Sequence, residues 1–106
     1  MTARRVVTSR RADQDIVEAL DHLRDAGADA AAYDLIDELQ ELSRRIAQFP
    51  SIGSSRFAVE TGIADLRDVA LRRFPYVVFY SEDSDAVRIH RFLHHSRDIP
   101  AELRGG

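Results

Sequence analysis

The chain is 106 residues long, 44% apolar and 31% charged, a balance that suits one compact domain over residues 1–106 and is too ordinary for a disordered segment. With no cysteine there is no disulfide scaffold, thiolate metal site or cysteine nucleophile, and no run approaches the ~20 apolar residues of a membrane span or the layout of a secretory signal, so the expected setting is the cytoplasm. A net charge of −3 makes a poor general binder of nucleic acid, where phosphate neutralisation supplies most of the affinity.

Residues 4–8, Arg-Arg-Val-Val-Thr, predict a short strand, and Ser9 a helix N-cap whose hydroxyl accepts an amide of the first turn. Asp13 and Asp15 then fall near the positive end of that helix. Ile16, Leu20 and Leu23 make one apolar stripe and Gly27 a natural stop, which gives a helix over about 10–26. In the second helix Leu35, Leu39, Leu42, Ile46 and Phe49 recur at steps of 4, 3, 4 and 3, with Ala31, Ala32 and Ile36 beside them. Asp29 is its expected cap and Pro50 its end. Two heptads are too short for a free-standing coiled coil, so the two helices should form an antiparallel hairpin laid on an apolar surface.

Pro50, Gly53, Ser54, Ser55 and Gly62 mark residues 50–64 as a loop. Three strands follow: 66–72, then 75–81, apolar on both faces as expected of a central strand, then 86–93, which begins in alternation and loses it. The polar segment 81–85 joins the last two as a hairpin turn. The order is β-α-α-β-β-β, an α+β fold in which a helical hairpin covers a small, twisted, mainly antiparallel sheet. Tyr76, Val78 and Tyr80 share one face of the central strand and Val77 and Phe79 the other. One face is buried by the hairpin; the second is left either as ordinary core or as a partner's surface.

Charge is blocked along the chain: residues 1–12 sum to +4, 13–42 to −9 and 43–106 to +2. Such asymmetry concerns partners more than fold. The acids Asp34, Asp37, Glu38 and Glu41 lie at helical spacing opposite the apolar stripe, as a solvated outer face or a docking patch for arginines. All fifteen basic residues are arginine, so no lysine is present to act as a base or a phosphate-binding point charge. His90, Arg91, His94, His95 and Arg97 cluster where acid–base work at neutral pH is conceivable. His94 and His95, adjacent on a strand, would point to opposite faces and ligate one ion poorly, so no metal site and no cofactor is expected.

The phrase Arg73-Phe74-Pro75-Tyr76-Val77-Val78-Phe79-Tyr80, the ending His94-His95-Ser96-Arg97-Asp98-Ile99-Pro100 and the element order together resemble the RelE/ParE superfamily of bacterial toxins, on the ParE side. That resemblance implies the toxin of a type II toxin–antitoxin system that arrests growth. ParE-like members bind and inhibit DNA gyrase; RelE-like members are ribosome-dependent mRNA endoribonucleases. Both are neutralised by a cognate antitoxin, ParD-like for the first, which contacts operator DNA on the toxin's behalf. The nuclease pattern Tyr-Arg-Val-x-Tyr appears here as Tyr76-Val77-Val78-Phe79-Tyr80, with valine in the arginine's place, and the late tyrosine of the nucleases has no counterpart. The resemblance therefore implies gyrase inhibition and no catalytic residue, with nuclease work by Arg91, His94, His95 and Arg97 as the alternative and a non-toxic, complex-forming member as a third. On this reading Arg91, His94, His95, Arg97 and Asp98 are an exposed target-binding stretch. Leu35, Leu39, Leu42, Arg67, Tyr76 and Tyr80 would meet the antitoxin, in a groove between the helical hairpin and the sheet edge. An amphipathic helix and an added strand are the expected mode of binding.

Overall fold

The structure, a computed structural model, describes residues 3–105. Strand β1 (Val6–Thr8) leads into α1 (Arg10–Asp25). Ser9 caps that helix: its hydroxyl accepts from the Ala12 amide at 2.9 Å and donates to the His90 carbonyl at 2.8 Å. One side chain thus starts the helix and ties it to a strand eighty residues on. Gly27 takes the left-handed conformation (φ 75°) that the tight turn into α2 (Asp29–Gln48) demands. The expected Asp29 cap is displaced. Ala28 occupies the N-cap with no side-chain bond, and Asp29 sits inside the first turn, where its charge acts on the helix dipole instead.

The segment expected to be a plain loop holds a 3₁₀ turn (Pro50–Ile52) and a short helix α3 (Ala58–Thr61), closed by Gly62 at φ 72°. Strands β2 (Arg67–Ala70), β3 (Tyr76–Glu82) and β4 (Val87–His94) follow, within two residues of the predicted limits. A final helix α4 (Ile99–Gly105) was not legible in the sequence. Pro100 lies in its first turn, where a missing N–H costs nothing.

The sheet order is β1-β4-β3-β2, antiparallel except that β1 runs parallel to β4, with Val6 opposite Val87. Placing β1 beside the last strand decides a position that the residues alone leave open. Phe79 pairs with Arg91 but Tyr80 pairs with Ile89, so His90 is an extra residue in β4. This bulge is the physical reason that the alternation fades halfway along that strand.

Two cores flank the sheet. On one side Leu35, Leu42 and Ile46 of α2 and Ala12 and Ala19 of α1 meet Val78, Tyr80, Ile89 and Phe92. Each large side chain fully buried there contributes about 1.5–3 kcal/mol. On the other side Val77, Phe79 and Leu93 are covered by Leu66, Leu103 and, partly buried, Phe57, Ile63 and Ile99. The second face is therefore core closed by the chain itself, through α3 and α4, and not a surface left for a partner. Among the described residues no helix is long and apolar enough to cross a membrane.

Candidate partner interface

A cleft of about 580 Å³ opens between α1 and the end of the sheet, where β3 begins and β4 runs out into the turn before α4. Gln14, Glu18 and His22 of α1 line one wall, and Tyr76, His94 and Arg97 the other. The sequence candidates divide here. His94 is half-buried in the cleft, while His95, Arg97 and Asp98 are exposed on the turn. The imidazoles of His94 and His95 stand 4.9 Å apart, because the strand ends at His94 and the turn brings neighbours together.

Arg91 departs from the expected exposed stretch. It is 5% exposed, and its guanidinium donates to both carboxylate oxygens of Asp15, at 2.8 and 3.1 Å, and to the Glu102 carbonyl at 3.0 Å. The same Asp15 accepts the Phe92 amide at 3.0 Å. Such bidentate, charge-assisted bonding has strong geometric preference. Here it fastens α1, β4 and α4 together, so Arg91 is a buried structural staple and not part of an exposed stretch.

The Tyr76 ring stacks on Phe92 (4.7 Å, 7°) and meets His94 edge-on at 5.3 Å. Burial pushes its hydroxyl pKa up, against a smaller opposing pull from Arg97, so it stays a neutral phenol at physiological pH. His94 accepts the Ser96 amide on Nδ1 at 3.1 Å. With Nδ1 accepting that amide, the neutral ring carries its proton on Nε2.

A second groove, about 730 Å³, runs between α2 and the edge strand β2, lined by Asp37, Glu41, Arg44, Val69, Ala70 and Arg73 among others. The acidic stripe of α2 is not uniformly solvated. Glu38 turns inward and its carboxylate receives the backbone amides of Arg72 and Arg73, the latter at 3.2 Å. Of the antitoxin candidates, Leu35, Leu42 and Tyr80 are enclosed in the chain's own core, and Leu39 and Tyr76 are partly buried against it. Arg67 is half-buried with its guanidinium on the Gly53 carbonyl at 2.9 Å.

The Tyr80 hydroxyl donates to the Pro50 carbonyl at 2.6 Å and accepts the Gly53 amide at 3.0 Å. A Cβ on Gly53 would stand 2.9 Å from that oxygen. Beside it Asp68 is buried, with Oδ1 unbonded and Oδ2 3.4 Å from the exposed Arg56 guanidinium. Desolvation pushes its pKa up, only partly offset by Arg56. Sequence reasoning missed Asp15, Glu38, Gly53 and Asp68 as positioning groups. Only Asp15 and Glu38 carried a signal: Asp15 as an acid near the positive end of a helix, and Glu38 as part of an acidic stripe read as either a solvated face or a docking patch. Among the described residues no three His, Asp or Glu groups gather as a metal would require.

A four-stranded sheet whose two faces are closed by α1–α2 and by α3–α4, with a polar cleft at one end, defines a small α+β protein. The family described as the ParE toxin of the type II toxin–antitoxin system, parDE, matches residues 6–99, and the chain belongs to it. Among solved structures it is similar to one described as the chromosomal ParDE TA system from P. aeruginosa, at 17% identity and a TM-score of 0.70, with 87% of this chain and 96% of that one covered. No curated protein matches.

Proposed function

We propose that this toxin acts by occupying DNA gyrase, without chemistry of its own, and that a cognate, ParD-like antitoxin neutralises it. The observation that carries the reading is the state of the cleft. Ribonucleolytic attack by a 2′-hydroxyl needs a base, a cation for the developing phosphorane charge and an acid for the leaving oxygen. Arg91 is ion-paired to Asp15, His94 has its acceptor nitrogen taken by Ser96, and the chain has no lysine. The groups left exposed, His95, Arg97 and Asp98, form a polar turn suited to contact with another protein's surface. Residues 1–106 act as one unit in this reading, in the cytoplasm, with operator DNA reached only through the antitoxin.

Purified chain added to gyrase is expected to block supercoiling or trap cleaved DNA, with the effect weakened by the double substitution His95→Ala, Arg97→Ala. Expression without antitoxin is expected to arrest growth. One observation favours the nuclease alternative: His22, Tyr76, His94 and Arg97 line one cleft. Cleavage of ribosome-bound message by the purified chain, abolished by His94→Ala, would replace gyrase with the ribosome as target. Growth without arrest would leave a complex-forming protein that has lost its toxicity.

A further inference from the structure

We propose that Ser81 is an activated serine that accepts a phosphoryl group from a small donor, with His90 as its base and Arg88 and Arg5 as the cations that hold the product. This modification site lies apart from the cleft and does not depend on which target the toxin meets. It arises from the irregular register of β4. In an unbroken ladder His90 would stand opposite Phe79, diagonal to Ser81. The bulge gives Phe79 to Arg91 instead and leaves His90 unpaired, free to turn to Ser81. The Ser9 hydroxyl, bonded to the His90 carbonyl at 2.8 Å, pins the bulge in place.

Ser81 Oγ and His90 Nε2 are 2.6 Å apart, the spacing of a nucleophile and its base. Burial and the neighbouring Arg88 charge both disfavour the imidazolium. The ring is therefore neutral at physiological pH, and its Nε2 lone pair can take the hydroxyl proton. Both residues are half-buried and not sealed, so a small reagent reaches them.

Charge states which group is accepted. Arg88 pairs with Ser81 across the strands, so the two side chains share a face. Val6 and Val87 pair on the helix-covered face, which places Arg5 on the same face as Arg88 and Ser81, one strand farther out. Arg88 donates through Nε to Asp83, and its terminal nitrogens make no hydrogen bond among the described residues. Arg5 is exposed and makes no ion pair among them. A phosphoserine dianion at this place gains charge-assisted hydrogen bonds, whereas a neutral acyl ester gains none. The main chain also limits the donor. Ser81 is held in the ladder to β4, so a modifying enzyme cannot lift it out as a free extended segment. A small acyl phosphate meets both demands. In the step, Ser81 Oγ forms a bond to phosphorus as its proton passes to His90 Nε2. The bond from phosphorus to the acyl oxygen breaks, and the carboxylate leaves with that electron pair. The imidazolium then returns its proton to solvent.

Incubation of the full chain with acetyl phosphate, and separately with a fluorophosphonate that reports any activated serine, tests this by peptide mass spectrometry. Both reagents are expected to modify Ser81 in preference to the more exposed Ser84 and Ser96, and this selectivity is read on the unaltered chain. Ser81→Ala should remove the product. His90→Gln keeps a hydrogen-bond acceptor but no base and should slow the reaction about a hundredfold. Arg88→Gln should slow transfer from acetyl phosphate about tenfold, the worth of one charge-assisted hydrogen bond. Equal modification of Ser84 and Ser96, or an unchanged rate in His90→Gln, would overturn the proposal, because Ser81 would then react as any hydroxyl does. Labelling by the fluorophosphonate alone would also overturn it, leaving a reactive serine that takes no phosphoryl group from an acyl phosphate.

Discussion

Arg91 shows how far a residue's chemistry depends on a partner that the local sequence does not display. Taken with His94, His95 and Arg97 it belongs to a cationic run; in the fold it is buried against Asp15 and belongs to the scaffold. Removing one member of a buried ion pair strands the other, which typically costs about 3–5 kcal/mol. Asp15→Ala is expected to lose about that much in urea unfolding, whereas Asp15→Leu with Arg91→Met loses clearly less than the sum of the single changes, because neither charge is then left unpaired. His90 offers a second test at this scale. Its Nε2 lies 2.6 Å from the Ser81 hydroxyl, and its pKa is lowered first by burial and then by Arg88. A histidine with a depressed folded pKa binds its proton better when unfolded, so its contribution is intact above an unfolded pKa of about 6.5 and is lost as pH falls through the folded value. Melting at pH 7.5 and 5.5 should show wild type losing more stability on acidification than His90→Gln; equal losses would assign the acid sensitivity elsewhere.

Between elements, the 3₁₀ turn after α2 is held by the Tyr80 hydroxyl, between the Pro50 carbonyl and the Gly53 amide, and by the Arg67 guanidinium on the Gly53 carbonyl. Gly53→Ala would push a methyl to 2.9 Å from that oxygen, with the Asp68 carbonyl also only 3.0 Å away. Backbone on one side leaves little room to relax, so a loss of about 1–3 kcal/mol is expected. Tyr80→Phe leaves a buried amide unpaired, a loss of similar size, about 1–3 kcal/mol; their double variant should cost less than the two losses together, since both act on one contact. These two residues also mark the limit of what the chain discloses. Helix α2 was plain from its leucine spacing, because a 20-residue periodic run leaves no other solution. The same spacing hid the roles of Leu35 and Leu42, since an apolar stripe reads alike whether it meets the chain's own sheet or a partner's. Helices of four and seven residues, α3 and α4, have too few turns for any period to register. Asp15 and Arg91 stand 76 positions apart, so nothing local joins them. The exposure of His95, Arg97 and Asp98 was legible, because a charged turn after an apolar strand needs little tertiary information to be located, whereas the cleft beside them was not.

For the molecule as a whole, the consequence of two cores on one sheet is that the C-terminal helix is structural. Without α3 and α4 the strand residues Val77, Phe79 and Leu93 would form an exposed apolar face, the situation that marks a partner site or an aggregation hazard. Leu103, 8% exposed, and Ile99 supply the apolar contact, and Glu102 links the helix to Arg91 at 3.4 Å through its carboxylate and 3.0 Å through its carbonyl. Leu103→Ala removes most of a buried side chain from a site formed by a short helix that can shift to fill it, so the cost belongs at the lower end of the usual 2–5 kcal/mol. Ending the chain after Asp98 removes both the apolar cover and the Arg91 acceptors. It should therefore cost more than Leu103→Ala and make the protein bind a dye for exposed apolar surface, with β1 and α1 unaltered. The exposed turn at His95 and Arg97 survives in Leu103→Ala but loses its anchor in the truncated chain, as the Arg97–Glu102 pair at 3.4 Å goes with the helix. Gyrase inhibition should accordingly persist in Leu103→Ala at a temperature where it is folded and fall sharply in the truncated chain. Inhibition that survives truncation in full would show that the target is met by another surface and that α4 serves the fold alone.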